Sequence, residues 1–312
     1  MNTKIPLLID TDPGVDDALA LLMAFQSDQH QLLGLCIAAG NVGLQHTCAN
    51  ALKLCEVAGI NVPVYQGCAQ PLVFAAEDAA YVHGLDGFGD IGYKPAQGYL
   101  EPEHAALAII REANQHAGKL LLVTLGPLTN LALAVRIDPT LPSKIARLVV
   151  MGGSVTGKGN TNISAEFNIG FDPESAVIVF ESFPKIELLD WEAVLRHGLK
   201  HSDVERWLAL EHPIARFYQQ ISLKTRNWSE GKRGEYWHSA DALAMLVALY
   251  PEYVIDKYKH YIYIETQGIH SRGATLVDWA NRMAKTAQTE IIHQVAQDRF
   301  ERLIQNALGW QV

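Results

Sequence analysis

The chain has 312 residues, 34 acidic against 25 basic, and is 49% hydrophobic and only 19% charged. That length can bury a sizeable core, and the hydrophobic share is that of a folded protein, so wholesale disorder is excluded. The net charge of −9 argues against nucleic acid as a partner, since phosphates call for a basic face, and no apolar run nears the ~18 residues a membrane span needs.

The N-terminus, Met-Asn-Thr-Lys and then Ile5–Ile9, offers too short an apolar stretch for a signal peptide. Cys36, Cys48, Cys55 and Cys68 form no CxxC pair and are too sparse for a disulfide framework, so reduced thiols in a cytoplasmic protein are expected.

Short β-branched runs predict buried strands at Ile5–Ile9, Leu32–Ala38, Leu120–Leu125, Leu148–Met151 and Ile186–Leu189. Between them Asp16–Phe25, Leu44–Val57, Pro102–His116, Leu128–Val135 and Pro173–Phe183 carry apolar residues at helical spacing. Strand and helix in strict turn predict an α/β fold: an open, mostly parallel sheet, Rossmann-like, with helices on both faces. Beyond Ser202 the pattern predicts helices at Ser202–Leu210 and Pro213–Thr225, and a polar loop holding Asn227, Ser229, Gly231 and Gly234. A helix at Asp241–Leu249, strands at Tyr261–Glu265 and Thr275–Asp278, and a closing helix at Ile291–Leu308 complete the expectation. No repeat or Pro/Ser-rich linker divides residues 1–312, which are read as a single domain.

In such sheets ligands bind beyond the carboxyl ends of the strands. There the first strand runs into Asp10-Thr11-Asp12-Pro13-Gly14-Val15-Asp16-Asp17. Asp10 and Asp12, two apart in an extended segment, are expected to point the same way. Gathered carboxylates repel unless a counter-charge joins them, and oxygen donors without interleaved Cys or His favour a hard cation, Ca²⁺ or Mg²⁺. Gly40-Asn41, Leu125-Gly126-Pro127-Leu128-Thr129-Asn130 and Met151-Gly152-Gly153 follow other strands. Their glycines permit close backbone approach, and the Leu125 carbonyl could serve as a neutral metal ligand. Glu166 and Asn168 flank Phe167, a pattern suited to a pocket wall offering polar groups beside a ring, and Asp172-Pro173 reads as a helix start. No phosphate-cradling loop or basic cluster appears at these strand ends, which argues against a phosphorylated ligand.

The segment DTDPGVDD at Asp10–Asp17 resembles the signature of the inosine-uridine nucleoside N-ribohydrolase family. So do the later GN, LGPLTNLA, MGG and AEFN segments, in order, and the resemblance continues through Ser239-Ala240-Asp241 and Gly273–Asp278. It implies a nucleoside hydrolase fold and Ca²⁺-dependent cleavage of the N-glycosidic bond of ribonucleosides to ribose and free base. In that family Asp12 would match a Ca²⁺ ligand that also acts as base on the water held there. Asp17, Asp241 and the Leu125 carbonyl match further metal ligands. Asp16, Asn41, Asn160, Glu166 and Asn168 match ribose-hydroxyl ligands, Met151 a sugar contact and Asp10 a supporting carboxylate. His83, in a Gly-rich segment, matches a His near the leaving base, and an ordinary imidazole there can donate a proton at neutral pH.

One position departs from the pattern. Many members carry a His directly before the late Asp, where this chain has Ala240. His238, three residues before Asp241, would share a helical face with it. Trp228, Tyr236 and Trp237, in or beside the expected loop, are placed to stack on a base or close over it. The resemblance further implies a homo-oligomer, dimer or tetramer, acting on a small-molecule nucleoside with no nucleic-acid or membrane partner. Alternatives are a nucleosidase for pyrimidine or modified nucleosides and a Ca²⁺-dependent nucleoside- or ribose-binding protein without turnover. A phosphoryl-transfer hydrolase using Asp-x-Asp with Mg²⁺ is a third.

Overall fold

A computed structural model of the protein describes residues 4–310; Met1–Thr3, read above for a targeting signal, lie outside the described residues. Its centre is an eight-stranded sheet. In spatial order the strands are Val64–Gln66, His30–Ile37, Ile5–Thr11, Leu120–Thr124, Ile145–Met151, Ile186–Leu189, Thr289–Val295 and Val254–His260. All neighbours run parallel except the last pair. The chain starts mid-sheet at Ile5–Thr11, moves out to one edge, then returns to Leu120–Thr124 on its other side. This reversal creates a crevice at the carboxyl ends of the central strands, where α/β sheets bind ligands.

Alternation along the first strand sets the two layers. Leu7 and Ile9 enter one core and Leu8 the other, and Leu121 and Val123 alternate likewise with Leu120 and Leu122. Helices Val15–Phe25, Leu44–Ala58, Pro213–Arg233, Ala240–Leu249 and Gln297–Ala307 cover the first face, and Ala105–Gln115, Thr129–Ile137 and Pro173–Ser182 the second. Val15–Phe25 and Ala240–Leu249 pack on each other and are buried nearly all round, as helices inside a large core are. This brings Asp16, Asp17 and Asp241, all in first helical turns, to one place. Asp172 caps the Pro173–Ser182 helix through the Ser175 N–H, as its sequence announced. No described helix is long and apolar enough to cross a membrane.

Three expectations need correction. The stretch Asn227–Arg233 is not a loop: the helix runs Pro213–Arg233, and the chain turns only at Gly234, whose φ is +79°. Gly, Ser and Asn are weak helix formers, but burial of Ser229 and the packing of Trp228 hold the last turns. The closing helix does not begin at Ile291. Ile291 and Ile292 sit in opposite cores, as successive strand residues must, and the helix spans only Gln297–Ala307. Val254–His260 was not foreseen because its residues alternate no apolar set. It is an edge strand whose exposed Lys257 and Lys259 discourage further pairing.

Candidate active site

Beyond the carboxyl ends of the central strands lies a cavity open to solvent, at the place where α/β sheets bind ligands. Of the sequence-derived residues, Asp16, Asn41, His83, Leu125, Met151, Asn160, Glu166, Phe167, Asn168, Trp228, Trp237, His238 and Asp241 line it. Asp10, Asp12 and Asp17 do not line it, being fully buried beneath, and neither does Tyr236, which is exposed on the two-residue strand pairing with Leu199–Lys200.

The floor is acidic. Asp16, Asp17 and Asp241 each offer a carboxylate oxygen within 4.8 Å of the others'. Asp17 is fixed by the Thr11 hydroxyl, the Gly14 N–H at 3.0 Å and the Asn41 amide at 2.9 Å. Asp12 accepts the Asn41 N–H at 2.7 Å through Oδ2, while its Oδ1, like Asp16 Oδ1, is buried without a partner. The Asp12 carboxylate is wedged between two glycines: a Cβ on Gly40 would lie 2.1 Å from Oδ2, and one on Gly126 2.2 Å from Oδ1. These strand-end glycines are therefore required by the carboxylate they admit. Burial and mutual repulsion push Asp12 and Asp241 well above the usual carboxylate range, and burial raises Asp16 and Asp17. Orphaned buried oxygens and an all-carboxylate donor set fit a divalent hard cation, whose charge would let these groups ionise together.

Asp10 does not join them. The strand ends at Thr11, and the Asp10 carboxylate turns to the Asn130 amide at 2.8 Å, on the second-face helix. Burial pushes it up to about 7.

Opposite the floor, the Asn168 amide donates to the Leu125 carbonyl at 2.6 Å and the Met151 carbonyl at 3.2 Å. Glu166 accepts the N–H groups of Gly153 (2.8 Å), Asn168 (3.0 Å) and Ile169 (3.2 Å), capping the short helix Phe167–Phe171. Burial still pushes it up to about 7. Asn160 Oδ1 accepts the Phe167 N–H at 2.8 Å.

The histidines differ from an ordinary imidazole. His83 Nδ1 accepts the Val15 N–H at 3.1 Å, which places the ring proton on Nε2, and burial pulls its pKa down to about 4. It is a neutral hydrogen-bond donor at neutral pH, not an imidazolium. His238 precedes the Ala240–Leu249 helix instead of lying on it, so the shared helical face with Asp241 does not exist. Its ring packs 6.2 Å from Trp191, and burial pulls it down to about 4.

Sequence reasoning missed Arg233, Tyr81, Trp191, Thr225 and Ser229, which also line the cavity. The signal for Arg233 was faint: one basic residue in a stretch read as loop.

A family model described as inosine-uridine preferring nucleoside hydrolase matches residues 7–302. The chain belongs to this family. It is 36% identical over 277 residues to uridine nucleosidase 1 of Arabidopsis thaliana, covering 87% of this chain and 81% of that one. With the non-specific ribonucleoside hydrolase RihC of Salmonella enteritidis it shares 33% identity over 318 residues, 99% of each chain. Its fold superposes on a solved inosine-guanosine nucleoside hydrolase with a TM-score of 0.91 (28% identity, 99% and 100% of the two chains). A plant nucleoside hydrolase gives 0.93 (27% identity, 99% and 100%). The protein is thus an enzyme of the nucleoside hydrolase family, acting on N-glycosyl bonds.

Proposed function

We propose that this nucleoside hydrolase cleaves ribonucleosides to ribose and free base with Ca²⁺ held by Asp12, Asp17, Asp241 and the Leu125 carbonyl. The observation that carries the reading is the Asp16, Asp17 and Asp241 cluster, with the buried Asp12 beside it and two carboxylate oxygens lacking any partner, at a cavity that Asp16 and Asp241 line. The printed names of the relatives, uridine nucleosidase and non-specific ribonucleoside hydrolase, support ribonucleosides as the substrate class.

Bound there, the cation supplies the positive charge that makes water a competent nucleophile near neutral pH. Asp12 takes the proton of the attacking water through its free Oδ1. Asp16 Oδ1 accepts a ribose hydroxyl, and Asn160, Glu166, Asn168 and Met151 enclose the sugar. The carboxylates surrounding the ring stabilise the positive charge that develops on the sugar as the C–N bond lengthens. Asn41 fixes Asp12 and Asp17, and its Oδ1 remains for the sugar. His83 donates from Nε2 to the substrate as a neutral group. Retention of an orphaned Asp12 oxygen favours turnover over binding alone, because binding needs no base.

The test is Asp12→Ala assayed on uridine and inosine. Loss of turnover by about 10³-fold or more is expected for a missing general base and ligand. Near-normal turnover would show that another group removes the proton.

A further inference from the structure

The cavity also has an aromatic wall that carries one permanent cation. Arg233, the last residue of the Pro213–Arg233 helix, has its guanidinium 4.6 Å from the Trp191 ring centroid and 4.9 Å from that of Trp228. Trp228 in turn meets Tyr81 edge-on at 6.2 Å. Arg233 is the only Lys or Arg among the lining residues. Burial and the charges of Asp16 and Tyr81 act on it; among the described residues its guanidinium makes no hydrogen bond or ion pair. Cation–π contacts compensate only part of the cost of desolvating such a group. The five N–H donors are left for what the cavity holds.

Cleavage sends the electron pair of the C1′–N bond onto the base. In an oxo-base that charge spreads from ring nitrogen to a carbonyl oxygen. We propose that Arg233 receives this charge, donating hydrogen bonds to the carbonyl oxygen of a departing oxo-base such as uracil or hypoxanthine. This rests on the hydrolase reading above and names its leaving-group residue. The guanidinium keeps its proton throughout. The base leaves as an anion and takes a proton from solvent, while the water oxygen bonds to C1′ and its released proton goes to Asp12. A guanidinium is donor-only, so it matches an exocyclic oxygen and mismatches the exocyclic amino group of adenine.

The experiment compares wild type, Arg233→Gln and Arg233→Lys on uridine, inosine, adenosine and 4-nitrophenyl β-riboside, whose leaving anion is stable without help. The Gln variant should lose about 10²–10³-fold in kcat on uridine and inosine, the range for removing one donor to a developing oxyanion, and less than tenfold on the nitrophenyl riboside. The Lys variant should fall between, keeping charge without the planar fork. Wild type should prefer inosine to adenosine, and the Gln variant should narrow that gap. Equal losses on all substrates, no loss on uridine and inosine, or wild-type preference for adenosine would each overturn the assignment. Nitrophenyl turnover reports folding; should the Gln variant not fold, the same uridine-to-nitrophenyl comparison on Arg233→Lys decides. Wild type that cleaves nothing overturns the hydrolase reading itself, a result distinct from failure of the Arg233 assignment.

Discussion

Gly126→Ala is expected to disable the enzyme while leaving it folded. The new Cβ would stand 2.2 Å from Asp12 Oδ1 and 2.8 Å from its Cγ, roughly 1 Å inside the closest contact a packed interior accepts. The carboxylate cannot retreat: on its other side Oδ2 is bonded to the Asn41 N–H at 2.7 Å, and Gly40 leaves no slack. Asp12 must therefore rotate or shift by about 1 Å, and a misplacement of that size costs on the order of 10²-fold in rate. Overpacking should lower stability by about 1–3 kcal/mol, well short of unfolding a domain of this size. The assay is kcat on uridine alongside thermal unfolding. Gly43→Ala serves as control, since its Cβ would meet nothing within 4 Å and its φ of −58° suits any residue. Because Gly43 is the N-cap of its helix, that variant should cost about 1 kcal/mol of stability and leave kcat intact. If Gly126→Ala keeps kcat within threefold of wild type, the clamp on Asp12 is not what positions the base.

Chelation should abolish activity and added Ca²⁺ restore it. In the chelated protein Ca²⁺ at 100 times its Kd should also stabilise folding by about 2.7 kcal/mol, read as a rise in Tm independent of turnover; no rise would refute the metal site. Glu166, raised by burial to about 7 against an ordinary 4.5, is favoured in its protonated form by the folded state. Its stabilising contribution is full below pH 4.5 and is lost as pH climbs through 7. Compared in metal-free protein, wild type should lose stability relative to Glu166→Gln over that window, and a difference that stays flat would contradict the burial argument. His83→Gln, which keeps a neutral donor, should retain more activity than His83→Ala; equal loss in both would instead require an imidazole acid.

The sheet was legible because its strands are buried on both faces. Leu7, Leu8 and Ile9 form a continuous apolar run, and Ile186–Leu189 was bounded by polar residues at each end. Half-exposed Val254–His260 carried no such run, and Ile291–Val295 could be read as helix because a genuine helix follows it. The acidic floor was legible through DTDPGVDD, whose turn brings Asp12, Asp16 and Asp17 together. What spacing could not give was direction. Asp10 pairs with Asn130, and His238 lies outside the helix whose face it was expected to share with Asp241. The aromatic and cationic wall was hidden for a different reason: it is assembled from segments distant in sequence, around Tyr81, Trp191 and Trp228–Arg233, and Asn227, Ser229 and Gly231 made the end of its helix read as loop.

Hydrolysis of the N-glycosidic bond at the Asp12, Asp16, Asp17 and Asp241 cluster is the reaction on which every prediction above depends. Its most direct test is product analysis of uridine and inosine incubated with the protein and Ca²⁺. Equimolar ribose and free base, absent after chelation, is the predicted result. Intact nucleoside bound without turnover, or inorganic phosphate released from a nucleotide whose glycosidic bond survives, would contradict it.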